Sequence, residues 1–364
     1  MPLTNIDGRR LGDSVFDKTA ARNLVVNGAA QVAQRATTQA SVTSSGYYAV
    51  DRFKTSLGNL GTWTISQSTD SPDGFAFSYK ALCTTADASP AAGDFAAMSY
   101  HFEGQDLQFL NFGNSGAKAT TLSFYVKSNK TGNASVELQQ RDNSDKQVTF
   151  QYTINSANTW ERKIINVPGD TAGVINNDNG TGIRALWWLN SGSDFTGGSF
   201  RSTWTAEADA DRNVSNLGVG GATNDEFLIT GLQWEVGNTA TPFEHRSFNE
   251  EMSKCLRYYE KSYLYSVVPG TATDVGMINL RKASTSSTVT NFNLEFSQKR
   301  AAPTVTIYST DDGAAGNIYD SSGATNRTAQ ADDISERGCR LVLSSALSGA
   351  NNLKVQFEAE ADLL

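Results

Sequence analysis

Cysteine and histidine are scarce in this sequence, and their scarcity narrows the possible functions. There are three cysteines and two histidines in 364 residues. Cys83, Cys255 and Cys339 are widely spaced and form no CxxC pair, so the sequence predicts neither a disulfide framework nor a zinc site. His101 and His245 accompany no serine-hydrolase elbow, H-E-x-x-H motif or phosphate-binding loop. The chain therefore lacks the signatures of the common hydrolases and nucleotide-binding enzymes.

Positive charge and long apolar runs are also in short supply. The chain has 30 Lys and Arg against 38 Asp and Glu, a net charge of −8. No basic cluster occurs, and duplex nucleic acid binds proteins largely through cationic contacts to phosphate, so we expect no nucleic-acid partner. Apolar runs such as residues 23–27 are far shorter than a bilayer span, and the N-terminus lacks a secretory signal. We therefore expect no membrane insertion.

Charged residues of both signs make up 19% of the chain, against roughly 25% in typical soluble domains. Gly, Ser, Thr, Asn and Ala fill much of the remainder, which favours short strands joined by turns. Apolar residues alternate, as at Phe75, Phe77 and Tyr79. Predicted strands cover residues 23–28, 47–53, 62–65, 75–79, 97–102, 121–126, 134–139, 148–154, 161–167, 183–189 and 226–235. Their number and spacing predict a two-sheet sandwich.

A helix and a second β region follow the sandwich. Ser247 and Glu250 have the S-x-x-E spacing of a capping box. The apolar residues that recur behind it at helical spacing are Phe248, Met252, Cys255, Leu256 and Tyr259. Beyond residue 265, apolar residues alternate at 292–296, 305–307, 341–343 and 353–357. The predicted fold is all-β, with a β-sandwich, one amphipathic helix and a smaller C-terminal β-sandwich.

The predicted organisation has four parts. Residues 1–22 show no sustained period and are interpreted as an N-terminal arm that becomes ordered against a partner, with a frayed terminus as the alternative. Residues 23–246 form the first sandwich, 247–265 a linker helix and 266–364 the C-terminal sandwich. The helix is expected to pack either on the sandwich or on copies of itself.

Several motifs resemble those of bacteriophage tail-fibre and related virion fibre proteins. N-L-x-x-N-G begins at Asn23, and Y-x-x-D-R-F begins at Tyr48. The closing pair is Q-x-E-V-G-x-x-A-T-P-F-E-x-R from Gln233 and C-x-R-Y-Y-x-K-S from Cys255. The resemblance also includes residues 119–128, 158–160, 168–171, 178–183 and 300–309. It extends over about residues 23–263 and the C-terminal region.

This resemblance implies a jelly roll like that of carbohydrate-binding modules at 23–246 and a tip domain at 266–364. It also implies a homotrimer in the virion, made in the host bacterial cytoplasm and released by lysis. Residues 1–22 would attach to tail or capsid proteins. The expected function is host recognition by a tail fibre that binds surface polysaccharide without catalysis. The alternatives are a head fibre or capsid decoration protein and, less favoured, a polysaccharide depolymerase, which needs two facing carboxylates.

Aromatic side chains beside polar ones are the candidate glycan contacts, because sugar rings stack on aromatic faces while polar groups bond the hydroxyls. Trp187 and Trp188 are adjacent in a predicted strand, so one is expected to fill the core while its neighbour faces outward. The candidate glycan-binding residues are Trp188, Trp204, Asn190, Asp194 and Arg201. The alternative is that both tryptophans pack in the sandwich core or between subunits. Loops around Asp311 and Asp320 are further candidates.

Glu207, Asp209 and Asp211 are candidate calcium ligands, because alternate residues of an extended loop face one side. The alternative, which we favour, is a solvated acidic loop. In secreted relatives of the jelly roll, acidic residues that hold a structural calcium closely follow the opening N-G. Here Gly28 is followed by Ala29, which counts against that site. No other cofactor is predicted.

Overall fold

A computed structural model describes residues 22–142, 145–282, 289–347 and 349–363. The predicted arm at 1–22 lies outside the described residues, apart from Arg22. Of the described chain, one compact unit comprises residues 22–30, 40–46 and 53–246. The second comprises residues 31–39, 47–52 and 247–363, so it includes two segments from within the stretch 23–246.

The all-β prediction is confirmed. Up to residue 236 the strands, in chain order, are β1 (Thr38–Val42), β2 (Gly46–Tyr47), β3 (Lys54–Gly58), β4 (Thr62–Ser68), β5 (Ser78–Thr85), β6 (Phe95–Glu103), β7 (Thr120–Ser128), β8 (Gly132–Gln140), β9 (Lys146–Ile154), β10 (Glu161–Val167), β11 (Thr181–Ser191), β12 (Thr205–Ala206) and β13 (Glu226–Val236). They form a six-stranded sheet, β1-β4-β5-β13-β7-β10, and a seven-stranded sheet, β12-β9-β8-β11-β6-β3-β2. Short 3₁₀ helices lie at Gly104–Leu110, Ser193–Phe195 and Asp209–Asp211.

The core of the first unit lies between these sheets. Trp187 on β11 packs edge-on against Phe124 on β7, with ring centroids 5.6 Å apart. Phe102 on β6 likewise contacts Trp234 on β13 at 4.7 Å. Alternate residues of the same strands therefore point away from the core, and they form the outer face of the seven-stranded sheet. This is the predicted jelly-roll sandwich.

The opening and closing motifs of the first unit bond to each other. Asn23 donates from Nδ2 to the carbonyl of Leu232 at 3.1 Å. Its Oδ1 accepts the backbone N–H of Trp234 at 3.1 Å. Arg246 donates to the carbonyl oxygens of Asn23 (2.6 Å) and Val25 (3.0 Å). Residues 23–28 were predicted to be a strand, and that prediction is wrong, because the Asn23 side chain supplies bonds that a regular ladder would otherwise make.

In the second unit, helix α1 spans Phe248–Cys255 and begins with the predicted cap, in which Ser247 accepts the Glu250 backbone N–H at 3.2 Å. The strands that follow are β14 (Tyr259–Lys261), β15 (Ile278–Lys282), β16 (Val289–Glu295), β17 (Thr304–Ser309), β18 (Asn317–Asp320), β19 (Thr325–Ser335), β20 (Gly338–Leu347) and β21 (Asn351–Glu360). They pair as β14-β21-β18-β19-β20-β16, with β15 and β17 also on β21. Alternating side chains such as Leu341, Leu343 and Leu353 form the core of the second β-sandwich.

The predicted helix through Tyr259 is too long. Residues Tyr259–Lys261 pair with Glu358–Glu360 of β21 and are therefore extended. The Tyr258 ring lies under the guanidinium of Arg52, 3.5 Å from its Cζ, and the Tyr259 ring under that of Arg35 at 3.8 Å. These contacts favour the strand over a further helical turn.

A buried ion cluster joins the two inserted segments of the second unit to its C-terminal strand. Arg35 and Arg52 pair with Asp362 at 2.6 and 3.0 Å. Asp51 accepts the backbone N–H (2.9 Å) and the Nε2 (2.6 Å) of Gln34. The D-R and Y-Y motifs thus serve the packing of this unit. No helix in the described part of the chain has the length and hydropathy of a membrane span.

Candidate functional site

The outer face of the seven-stranded sheet carries a row of polar side chains. Strand register places Arg184 on β11 opposite Gln139 on β8 and His101 on β6. Gln139 in turn faces Gln147 on β9. The neighbouring core-facing positions, such as Val136 and Leu138, are fully buried and apolar. The alternation of β8 therefore puts Glu137 and Gln139 on the outer face, where they lie next to arginines.

Glu137 and Arg184 of this row, together with three charged side chains beside it, form what we call the arginine cluster; the other three are Arg141, Glu207 and Arg212. Glu137 Oε2 accepts from Arg212 Nε at 3.3 Å. Arg141 pairs with Glu207 at 2.8 Å, and Arg212 approaches the other oxygen of Glu207 at 3.7 Å. Arg184 donates from Nε to Oε1 of Gln139. Glu137 and Arg184 lie on the paired strands β8 and β11, which form a rigid part of the fold. Arg141, Glu207 and Arg212 directly follow β8, β12 and the 3₁₀ helix at Asp209–Asp211.

Burial gives the charges of the cluster different environments. Burial raises the pKa of the Glu137 carboxyl, and Arg212 offsets part of that rise. Burial lowers the pKa of Arg212, but the carboxylates of Glu137 and Glu207 outweigh it and raise the pKa above its ordinary value. For Arg184, burial and the neighbouring guanidinium groups of Arg141 and Arg212 lower the pKa to about 10. Arg184 is the member whose charge the cluster supports least.

Trp188 lies beside the cluster but is only 1% exposed. Its Nε1 donates to Glu137 Oε2 at 3.0 Å. The ring packs against Phe195 at 5.3 Å and under the Arg212 guanidinium at 5.1 Å. The two tryptophans point to opposite faces of the sheet as expected, with Trp187 in the core and Trp188 on the outer face. The 3₁₀ helix at Ser193–Phe195 covers Trp188, so its ring is not an exposed platform.

The other predicted glycan contacts are dispersed. Asn190 is buried, and its Oδ1 accepts from Asn216 Nδ2 at 3.0 Å. Arg201 is 44% exposed and pairs with Asp211 at 2.6 Å. Asp194 is exposed. The structure therefore does not gather these three side chains into one site with Trp188.

Trp204 is partly buried against Phe112, with ring centroids 5.8 Å apart. Its Nε1 donates to the carbonyl of Pro168 at 2.7 Å. In the second unit, Asp320 is fully buried and pairs with Arg327 at 2.7 Å, while Asp311 is exposed. Asp320 thus has a structural partner, and Asp311 remains a surface position.

The predicted calcium ligands do not converge. Asp209–Asp211 forms a turn of 3₁₀ helix, so the premise of an extended loop with Glu207, Asp209 and Asp211 on one side is wrong. Asp209 pairs with Arg212 at 3.1 Å, and Asp211 accepts the Ser199 backbone N–H at 2.7 Å. Within the described ranges, no group of three or more His, Cys, Asp or Glu side chains is arranged to hold a metal ion.

Buried polar atoms with unused hydrogen-bonding capacity surround the cluster. Those without a partner are Glu137 Oε1, Gln139 Nε2, Gln147 Oε1, Thr205 Oγ1 and Asn213 Oδ1. A cavity of about 340 Å³ lies at the edge of the cluster, where Arg141 and Glu207 line it together with Asp145, Ala206 and Asp209. Buried polar groups are usually satisfied, so this concentration marks a place where a polar ligand or water has groups to bind.

The sequence analysis did not identify the arginine cluster. Its residues lie far apart in the chain: the pairing of β8 with β11 brings Glu137 and Arg184 together, and Arg212 reaches Glu137 from the end of the 3₁₀ helix at Asp209–Asp211. A signal was present in β8, where Glu137 and Gln139 alternate with apolar residues on a strand that is buried on both faces. Charged and amide side chains at such positions need partners, and their partners define the site.

No family model and no curated protein matches the sequence. Among solved structures, a tailspike protein 4 domain of bacteriophage CBA120 is similar over 59% of this chain and 21% of its own length, with 12% identity and a TM-score of 0.31. A putative sugar-binding protein of Bacteroides thetaiotaomicron is similar over 59% of this chain and 100% of its own length, with 11% identity and a TM-score of 0.33. A family 11 carbohydrate-binding module of Clostridium thermocellum is similar over 57% of this chain and 99% of its own length, with 11% identity and a TM-score of 0.29. Similarities this weak assign no ligand and no activity to this chain.

Proposed function

We propose that this protein is a bacteriophage tail-fibre subunit that recognises its host by binding a cell-surface polysaccharide at the arginine cluster. The observation that carries the proposal is the set of fixed donors and acceptors on the outer face, with the 340 Å³ cavity beside them. A polyhydroxylated ligand needs several preorganised polar groups at once, because each exchanges a bond to water for one to protein. The guanidinium and carboxylate groups of the cluster, held by their mutual ion pairs, meet that need.

The virion part of the proposal is supported by the motifs at Asn23, Tyr48, Gln233 and Cys255. A fibre of this kind is a homotrimer attached to the particle through residues 1–22, with its free end towards the host. Three copies multiply a weak single-site affinity by avidity. The copy number is tested by light scattering, in which a monomer mass overturns the trimer.

Binding without cleavage is proposed because the carboxylates of the cluster are occupied. Glu137 is 0% exposed, sealed under Trp188 and Arg212. Glu207 bridges Arg141 and Arg212. A glycoside hydrolase needs two carboxyl groups that both reach the scissile bond.

The test is binding of purified protein to extracted surface polysaccharide of the host, with competition against phage adsorption to cells. Arg141→Ala opens the cluster at its cavity, and Arg162→Ala on the exposed side of β10 is the matched control. We expect reduced adsorption with wild-type and Arg162→Ala protein and a weaker effect with Arg141→Ala. Release of oligosaccharides would establish a depolymerase. Unchanged adsorption and no polysaccharide binding would overturn the proposal in favour of a head fibre or decoration protein, which antibody labelling of particles then locates.

A further inference from the structure

We propose that the arginine cluster selects acidic saccharides and that Arg184 binds the ligand's carboxylate. This inference rests on the proposed function and adds the class of ligand. It depends on three features of the cluster: an arginine without a carboxylate partner, a buried amide whose donor points to no acceptor, and an excess of positive charge among its five charged side chains.

Arg184 is partly buried on β11, and within the described residues no carboxylate lies at ion-pairing distance from it. The other two arginines of the cluster each pair with at least two carboxylates. The bond that Arg184 makes is from Nε to Gln139 Oε1. Its two terminal nitrogens remain for a ligand. The described partner of Arg184 is therefore a neutral amide oxygen, whereas partly buried guanidinium groups are normally paired with a charged carboxylate.

Gln139 provides the second, independent feature. It is 0% exposed, and since its Oε1 faces Arg184, its Nε2 is the end left over. That Nε2 has no acceptor. A buried amide N–H without a partner costs about 1–3 kcal/mol, so an acceptor at this position has a direct energetic reason to bind. Arg184 and Gln139 together offer donors and no acceptor, which favours an anion over a hydroxyl.

The charge balance of the cluster points the same way. It contains three partly buried guanidinium groups, those of Arg141, Arg184 and Arg212, and two carboxylates, of which Glu137 is buried and Glu207 partly buried. The further carboxylates of Asp145 and Asp209 are 57% and 65% exposed, so water screens them strongly. The low pKa of Arg184 agrees with an uncompensated charge at this position.

A carboxylate suits these groups better than a neutral hydroxyl does. Its two oxygens match the two parallel N–H bonds of a guanidinium, and charge-assisted bonds are roughly twice as strong as neutral ones. The ligand class is therefore a saccharide bearing a carboxylate, such as a uronic acid. Loss of one such bond lowers affinity about 10-fold or more.

The experiment compares each surface polysaccharide that the protein binds with the same polysaccharide after carboxyl reduction, which converts every carboxylate into a primary alcohol. We expect at least about 10-fold weaker binding to the reduced form. Arg184→Gln should lose the preference for the acidic form. Arg162→Gln, on the other sheet, should keep it.

A second variant keeps the test independent of folding defects. Gln139→Glu is nearly isosteric and places a carboxylate of the protein beside Arg184, where it occupies the guanidinium in place of the ligand. We expect this variant to melt no lower than wild type and to bind the acidic and reduced forms equally. Equal binding of both forms by wild-type protein, or an undiminished preference in both variants, would refute the inference while the proposed function stands. Binding to neither form would refute both.

Discussion

Gly28 is a position where the first unit is sensitive to a single added methyl group. A Cβ on this residue would lie well inside van der Waals distance of the Leu232 carbonyl oxygen and 3.2 Å from its carbonyl carbon. The same strip of backbone carries the bond from Leu232 N–H to the Gly28 carbonyl at 2.9 Å. Gly28→Ala must therefore push the opening segment away from β13.

The cost follows from those contacts. Overpacking of this kind costs about 1–3 kcal/mol, and weakening the Leu232 bond adds about 0.5–1.5 kcal/mol. Alanine also lowers the conformational entropy of the unfolded chain, which offsets about 0.4–1 kcal/mol of this destabilisation. We expect a net loss of about 2 kcal/mol, which lowers the melting temperature by roughly 4–8 °C in a unit of this size.

The assay is thermal unfolding followed by near-ultraviolet circular dichroism, to which buried tryptophans such as Trp63 and Trp234 contribute. Gly197→Ala is the matched control, because Gly197 is exposed and a Cβ there meets no atom within 4 Å. It should shift stability by less than about 1 kcal/mol. If Gly28→Ala melts with wild type, or if both variants fall equally, the close approach to Leu232 does not limit this position.

Two further predictions concern buried and paired charges. Arg52→Ala removes one partner of Asp362 and the cation over Tyr258, and should destabilise the second unit by about 3 kcal/mol in urea unfolding; an unchanged midpoint would contradict a packed ion cluster. Partial burial raises the pKa of Glu161, but Lys163 and the Ser156 N–H outweigh it and lower the pKa to about 2 from its ordinary 4.5. The stability that the lowered pKa of Glu161 contributes is fully present above pH 4.5 and is lost as the pH falls towards 2. The urea midpoint of Glu161→Gln should therefore trail wild type at about pH 5 and converge with it on acidification, and a constant gap would contradict the assignment.

Strands with one buried face were predictable, because apolar and polar residues alternate along such a strand. Residues 161–167 match β10, and the alternating 353–357 stretch lies inside β21. The helix start was predictable for a local reason as well, since Ser247 and Glu250 are close in sequence. Its end was not, because strand pairing to β21 and the rings of Tyr258 and Tyr259 on two arginines decide it.

The candidate site was less predictable than the fold. The polar residues that follow Trp188 in the sequence suggested an exposed aromatic surface. A 3₁₀ helix that begins two residues beyond β11 instead covers the Trp188 ring. Asp209 and Asp211 alternate in sequence, but a helical turn separates their directions. The sequence around Arg184 did not mark it as a ligand contact, because what distinguishes this arginine is the lack of a carboxylate within ion-pairing distance among the described residues. Such features depend on contacts between residues far apart in the sequence, so no local pattern predicts them.

The two inserted segments have a consequence for how such proteins exchange parts. A cut at residue 246 looks like a natural junction, yet it leaves Arg35 and Arg52 on one side and Asp362 and the tyrosines on the other. A C-terminal cassette moved by recombination at that point would arrive without two of its own pieces. A productive chimaera must carry residues 31–39 and 47–52 along with the chain from residue 247 onward, so the exchangeable part has a discontinuous boundary.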